Sequence, residues 1–400
     1  MGEHAERKHS LLSPSGAYRW LSCTPSAVLG MQFPDTSSSA AEEGTLAHEL
    51  AELKVRNYFF SVEFGKRKLT VAVKKLKERE LWDDEMMRYT DDYLNYITSV
   101  AMKFQISPHV DIERRVYLGK YIPNLEDEEE ASGCADCILV GDGIIHVIDF
   151  KYGKSPEGRV DAEQNPQMLL YALGAYEIYR MLYRIDRIRL SIVQPRLPDG
   201  ISEWECTLEE LLQFGAYVKT QAALAIKGEG AFSPGPKTCR YCRARGMCRA
   251  RAEKNVGLAF MTKTAPALIT DEELGDYLIK GQDVARWLTD IQEEALKKCL
   301  AGKKIPGWKA VEGRSSRLWT DLDEAFKALE ASGVPAGLLW EKKPLTVAQV
   351  EKVLGKKEFA QKADGYVVKK PGSPALVEET DKRPAITNQV TAAEAFKEEC

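Results

Sequence analysis

The sequence predicts an α/β protein in which a mixed sheet is flanked by helices, followed by a mainly helical C-terminal region. Three observations carry that expectation. Two apolar runs with strand character, Cys134 to Val140 and Ile144 to Phe150, meet at Asp142-Gly143, the dipeptide of a tight hairpin. A helical stretch rich in Leu, Tyr and Ala over 163–183 comes next and leads to a further strand, Ile185 to Gln194, so that strand, helix and strand alternate. The 400 residues are 44% hydrophobic and 29% charged, ordinary values for a globular chain long enough for two or three domains. That composition excludes a mostly disordered chain, a collagen-like chain and a small disulfide scaffold.

The elements follow in order. Ser13-Pro14 opens a short helix, with Ser as N-cap and Pro in the first turn, running through Tyr18, Trp20 and Leu21 to Cys23. Residues 35–43 are small and polar, a loop. A second helix starts near Ala41 and continues through Gly44, His48 and Leu53, and Gly44 is read as allowing close approach to another backbone. Residues 72–105 read as helical, with many charges and a mixed apolar face. Val110 to Leu118 reads as a strand, and Glu126 to Glu130 as a solvated acidic loop. Ile201 to Cys206 is expected to pair with the strand at 185–194. Thr207-x-x-Glu210 is a capping box opening a helix to about Lys227. A second capping box, Thr270-x-x-Glu273, opens a long amphipathic helix to about Leu300. Short elements are expected at Trp308 to Val311, near Asp321 to Ala331 and after Thr346, and a flexible tail from about Pro371. The expected divisions are therefore 12–256, 257–370 and 371–400.

Lys plus Arg is 56 and Asp plus Glu is 60, a net charge of −4. The chain is no bulk polycation, so any nucleic-acid binding must use a local basic surface. No apolar run approaches the ~20 residues that cross a bilayer. The polar, charged stretch from Met1 to Ser10 does not read as a secretory signal. No membrane association and a cytoplasmic location are expected.

Nine cysteines, an odd count, argue against a disulfide framework. Three cluster as Cys239-x2-Cys242-x5-Cys248, just after the turn-forming Ser233-Pro234-Gly235-Pro236. Thiolates this close on an irregular loop suit a metal or cluster site. A four-thiolate site needs one more ligand, from Cys23, Cys134, Cys137 or Cys206. Cys134 and Cys137 lie three apart on a strand and point to opposite faces, so they cannot share one metal and read better as core residues. Cys23 lies at an element end beside Thr24-Pro25, where a ligand fits. Cys299 reads as core and Cys400 as a free terminal thiol.

Asp136 lies on one strand of the hairpin, and Asp149-Phe150-Lys151 ends the next. Asp149 and Lys151 are two apart on a strand and share a face. Charges ending the apolar run Ile144-Ile145-His146-Val147-Ile148 are costly unless they reach solvent or perform chemistry. Two carboxylates and an ammonium on neighbouring strand ends suit a divalent cation with a nearby Lys, and oxygen ligands favour Mg²⁺ or Mn²⁺. His48 is a further candidate ligand that shifts the preference toward Mn²⁺, and Glu113 is another candidate. Gln164, Gln167 and Tyr171, at i, i+3 and i+7, are expected on one helix face as donors to phosphate oxygens and a bound water. Taken singly, each of these residues has an ordinary structural explanation; order and spacing together single them out.

The set Gly44-x3-His48, Asp136, Asp149-Phe150-Lys151 and Gln167-x3-Tyr171 resembles the RecB-type branch of the PD-(D/E)xK nuclease superfamily. The cysteine layout is similar to the iron–sulfur members of that branch, among them AddB nuclease domains and CRISPR-associated RecB-like exonucleases. The opening Leu12-Ser13-Pro14-Ser15-Gly16 through Trp20-Leu21-Ser22-Cys23 also resembles a phage-borne family assigned to this branch. The motifs cover residues 12–252. Asp149 stands where many relatives have Glu, and Ala135 stands where the superfamily name has Pro. The resemblance implies a restriction-endonuclease-like core and metal-dependent hydrolysis of DNA, as an exonuclease in phage recombination or end processing. It implies Asp136, Asp149 and His48 as ligands of one or two ions, with the Phe150 carbonyl as an extra ligand. Lys151 would orient or help deprotonate a water, and Gln167 and Tyr171 would hold the strand and phosphate. It also implies a 4Fe–4S cluster on Cys23, Cys239, Cys242 and Cys248, with zinc as the rival. The implied partners are DNA and a phage recombination or single-strand annealing protein, in a bacterial host cell. The alternatives are a catalytically silent DNA- or protein-binding module that keeps the cluster, a site-specific endonuclease, or a CRISPR-type adaptor.

Arg240, Arg243, Arg245, Arg249 and Arg251, with Lys237 and Lys254, form a basic segment around the cysteines. It reads equally as a DNA groove and as counter-charge for a thiolate-bound site.

Overall fold

The computed structural model describes residues 11–34, 39–122, 131–260, 271–311, 322–332, 335, 339, 346–363 and 366–367. The acidic run Glu126 to Glu130, Thr270, the tail from Pro371 and Cys400 lie outside them. The chain divides into two compact units, Met1–Val311 and Glu312–Cys400.

The first unit is built on a five-stranded mixed sheet, in spatial order β1 (His109–Tyr117), β2 (Ser132–Gly141), β3 (Ile144–Phe150), β4 (Arg187–Val193) and β5 (Ile201–Thr207). The β2–β3 hairpin is antiparallel and turns at Asp142 and Gly143, both at positive φ, as a two-residue turn of this kind requires. β3 and β4 run parallel, so the chain must cross over between them. Helix α6 (Pro166–Tyr179) lies in that connection. Numbering helices in chain order, α1 (Ala17–Ser22) and α7 (Leu208–Lys227) join α6 against one face of the sheet, over Trp20, Ile138, Ile145, Val147, Leu190 and Val218. The other face carries α3 (Ser39–Phe59), α4 (Lys66–Lys77) and α5 (Glu85–Ala101), over Leu50, Val55, Ile97, Leu139 and Ile148. Burial on both faces explains why all seven side chains of β3 are buried and why its sequence is nearly continuous apolar.

The helices end and begin where local chemistry dictates. The expected helix over 72–105 is two helices separated by residues 78–84. The Thr207–Glu210 capping box opens α7, and Gly228 closes it at φ 70°. α6 begins at Pro166 and not at 163, because the residue before a proline is kept from helical geometry and Asn165 serves as N-cap, accepting from the Gln167 and Met168 amides.

Helix α2 (Ser26–Met31) follows Cys23. Two further helices, α8 (Pro236–Cys239) and α9 (Arg249–Phe260), flank the cysteine segment. The 30-residue α10 (Asp271–Leu300) belongs to the same unit, so the division at 311 differs from the boundary expected near 256. The reason is electrostatic. Arg251, 1% exposed, is ion-paired with Asp290 and lies 3.6 Å from Asp283, both on α10, and Arg245 reaches Asp290 at 2.8 Å.

The second unit contains α11 (Leu322–Ala331), α12 (Val347–Leu354) and α13 (Lys356–Lys362). A capping box of Thr346 with Gln349 opens α12. Among the described residues, no helix is long and apolar enough to cross a membrane.

Candidate metal centre and a cysteine-lined pocket

The sheet alternation slips at one rung. In β1, Ile112 packs on the α3 side and Val116 on the α6 side, although an even spacing should keep them together. In β2, Ala135 lies on the α6 side and Cys137 on the α3 side, the same contradiction. Ile112 pairs with Cys137 and Arg114 with Ala135, so the rung between holds Glu113 and Asp136. Glu113 is in the left-handed region at φ 51°, where a non-glycine residue is strained. The slip turns both acids toward α3 and His48. Ligand atoms of His48, Glu113 and Asp136 all lie within 4.8 Å of one another.

Each of the other candidates can be placed. His48 Nδ1 is 3.4 Å from Asp136 Oδ2, and the same oxygen accepts the Phe150 amide at 2.7 Å. Phe150 thus meets the site through its N–H and through its ring, which stands edge-on to His48 at 5.2 Å. Asp149, 2% exposed, lies outside the trio and pairs with Lys151 at 2.9 Å. Lys151 Nζ donates to Gln167 Oε1 at 3.3 Å, and Gln167 Nε2 donates to the Tyr171 hydroxyl at 3.1 Å. The Lys151 amide donates to the Val193 carbonyl, extending the parallel pairing one residue past β3. Gln164 does not share the α6 face: it precedes the N-cap, is exposed and sits at φ 47°. Gly44 makes no close approach either, since a Cβ there would meet nothing within 4 Å.

Burial works against the His48 cation, but the Asp136 carboxylate outweighs it and raises His48 above its ordinary value. Burial pushes Asp136 up, and His48, Lys151 and the Phe150 amide more than offset that, holding it below the usual carboxylate range. Glu113 is raised by burial and by Asp136. Asp149 is raised by burial against the pull of Lys151, with Asp136 adding to the rise. Lys151 is disfavoured as a cation by burial, yet Asp149 and Asp136 raise it. Crowded carboxylates that resist losing their last protons are a donor set that a cation relieves. One imidazole and several carboxylate oxygens fit a divalent ion such as Mn²⁺ or Mg²⁺.

Glu52 also lines this pocket, with Tyr93 and Val55. Sequence reasoning missed it, although it stands at i+4 from His48 on α3, the spacing that puts two side chains on one helix face. Its carboxylate is held by Arg56 at 2.7 Å, and Arg56 in turn donates to the Ile112 carbonyl next to Glu113.

The second site is a small cavity lined by Cys23, Cys239, Cys242 and Cys248 together with Phe232 and Arg245. Cys23 caps α1, and Cys239 ends α8, where its sulfur accepts the Gly235 amide at 3.4 Å. The three other candidates for a fourth ligand lie elsewhere: Cys134 and Cys137 on β2, and Cys206 on β5. Burial pushes the thiols of Cys239 and Cys242 up, and for Cys242 the Ala244 amide and Arg19 pull the other way.

Comparison with solved structures finds one titled "Crystal structure of SSO0001", 15% identical over 50% of this chain and 85% of that one, with a TM-score of 0.26. The family model described as "Protein of unknown function (DUF2800)" matches residues 9–384, nearly the whole length, and the chain belongs to that family.

Proposed function

We propose that this protein is a metal-dependent nuclease of the RecB type, with a restriction-endonuclease-like core, that hydrolyses DNA phosphodiester bonds from an end. The observation that carries the reading is the convergence of His48, Glu113 and Asp136 within 4.8 Å, with Asp136 on the hairpin strand that faces the one ending in the Asp149–Lys151 pair. The acid-x-Lys end of β3, with α6 crossing to a parallel β4, supports the same reading.

His48, Glu113 and Asp136 would hold Mg²⁺ or Mn²⁺, with Asp149 as a further carboxylate. A divalent ion bound there supplies an acidified water and a counter-charge for the phosphate. Lys151, kept cationic by Asp149 and Asp136, offers its ammonium to a phosphate oxygen or to the attacking water. Gln167 fixes where that ammonium points, and Tyr171 fixes Gln167. Phe150 excludes water from one side of His48 and, through its amide, aims the Asp136 carboxylate.

The four pocket cysteines would hold a 4Fe–4S cluster. Zinc is the other group that four thiolates hold, and the visible absorbance of an iron–sulfur protein separates the two.

The test is digestion of end-labelled linear and circular DNA by the purified chain, with Mn²⁺, Mg²⁺ or a chelator. Loss of linear DNA alone, with metal only, is expected from the wild type, which should also show the visible absorbance of an iron–sulfur protein. Asp136→Asn should reduce hydrolysis to background while keeping colour and melting behaviour. A wild type inert with both metals rejects the reading, and digestion of circles makes the protein an endonuclease.

A further inference from the structure

α4 reads Lys66-Arg67-Lys68-Leu69-Thr70-Val71-Ala72-Val73-Lys74-Lys75-Leu76-Lys77, six cations and no acid in twelve residues. In a chain of net charge −4 this is a local excess that packing does not demand. The helix docks through Leu69, Ala72, Val73 and Leu76, the positions i, i+3, i+4 and i+7, which are the half-buried or buried ones. The cations occupy the other sides. Arg67 and Lys74 form one row and Lys68 and Lys75 another, each pair separated by about 10.5 Å along the axis.

Little neutralises them. Lys77 reaches the exposed Asp84 at 3.4 Å, and Lys68 donates to the Glu63 carbonyl. Among the described residues, Lys66, Arg67, Lys74 and Lys75 have no ion-pair partner. Glu78 and Glu80 come only after the helix ends. By contrast, Arg245 and Arg251 of the cysteine segment are tied to Asp290. The segment that follows α4 is tied to the turn of α3 that carries His48, since Arg79 reaches Glu49 at 3.0 Å.

We infer that α4 is a docking surface for the phosphate backbone of duplex DNA, beside the site that would cut it. The occupant is a duplex and not a single strand: single-strand grooves add aromatic platforms for base stacking, and α4 carries no aromatic residue. It is not a lipid surface: Val71 is the one apolar side chain on the exposed side of the helix, too little to bury in acyl chains. Recognition is sequence-independent, through Lys and Arg against phosphates.

The inference rests on the nuclease reading for its substrate, and the experiment separates the two. Binding of a fluorescent duplex to the full chain is followed by anisotropy across a salt series, with a chelator present so that nothing is cut. Arg67→Gln/Lys74→Gln/Lys75→Gln should weaken binding roughly tenfold or more and lower the salt slope by about 2 to 3. Lys297→Gln/Lys298→Gln, on α10, should change neither. The same triple variant, with Mn²⁺, should still hydrolyse a mononucleotide aryl ester too short to reach α4, as fast as the wild type does. Unchanged duplex affinity and slope in the triple variant overturn the inference even if DNA is digested. Equal loss of single-strand binding, or binding of phosphatidylserine vesicles in place of DNA, also overturns it. Duplex binding lost in the triple variant upholds it even if the wild type proves inert toward every phosphodiester.

Discussion

At the scale of single residues, His146 shows how a polar group in the sheet is tolerated. It is fully buried; its Nε2 lies 2.7 Å from Ser191 Oγ, which also accepts from the Tyr96 hydroxyl, while Nδ1 has no hydrogen-bond partner among the described residues. Burial, aided by Arg189 and Lys103, lowers its pKa from 6.5 to about 3. The unfolded chain therefore takes up a proton that the folded one refuses between about pH 6.5 and 3, and stability falls as pH falls through that window, by up to about 1.4 kcal/mol per pH unit. His146→Gln keeps a partner for Ser191 and removes the titration. Urea unfolding at a series of pH values should show a shallower acid limb in the variant, and parallel limbs would disprove the assignment. The candidate site was half legible at this scale. Asp149 with Lys151, and Gln167 with Tyr171, could be found because their spacing follows local periodicity, and Asp136 was legible as a carboxylate on the hairpin but not in the direction it faces. The promotion of Glu113 to a central position could not, because it depends on a slip shared by two strands, and period-two reasoning assumes that no slip occurs.

Among the elements, the contact between α6 and the sheet sets how accurately Lys151 is placed, since α6 carries Gln167 and Tyr171. Gly174 is what lets them approach: a Cβ there would stand 2.6 Å from Val116 Cβ. Gly174→Ala must push α6 outward or distort β1, at about 1–3 kcal/mol. The expected result is a lower urea midpoint and, on the proposed nuclease reading, slower DNA hydrolysis. An unchanged midpoint would mean that β1 gives way freely. The strands, the hairpin and the Thr207–Glu210 capping box were readable because each depends on residues close in sequence, whereas the Thr346–Gln349 box is one the sequence reading does not name. Helical periodicity alone places the start of α6 three residues too early, because it runs backward through Asn165-Pro166, where the proline forbids a helix. Gly44 faces open space, and a glycine in a helix says nothing by itself about what lies opposite.

For the molecule as a whole, the unexpected feature is that α10 belongs with the first unit. In the sequence the Arg residues around the cysteines read equally as a nucleic-acid surface and as counter-charge for a thiolate-bound site. The fold spends two of them, Arg245 and Arg251, on Asp290, a partner about forty positions away that local reading does not connect with them. Removing a carboxylate from a nearly buried guanidinium strands the charge, so Asp290→Ala should cost about 3 kcal/mol and loosen the pocket. The readout is the rate at which a thiol reagent reaches Cys242 and Cys248, expected to rise several-fold; an unchanged rate would show that α10 does not brace the segment. The pocket itself has a consequence for biosynthesis. Cys23 and Cys248 are separated by 225 residues, and all five strands lie between them. At about 5–20 residues per second, translation leaves the first thiol waiting roughly 10–45 s for the last. The sheet can therefore pair before the two ends of its sulfur lining meet, so that Cys23 is an unpaired thiol of the growing chain until they do.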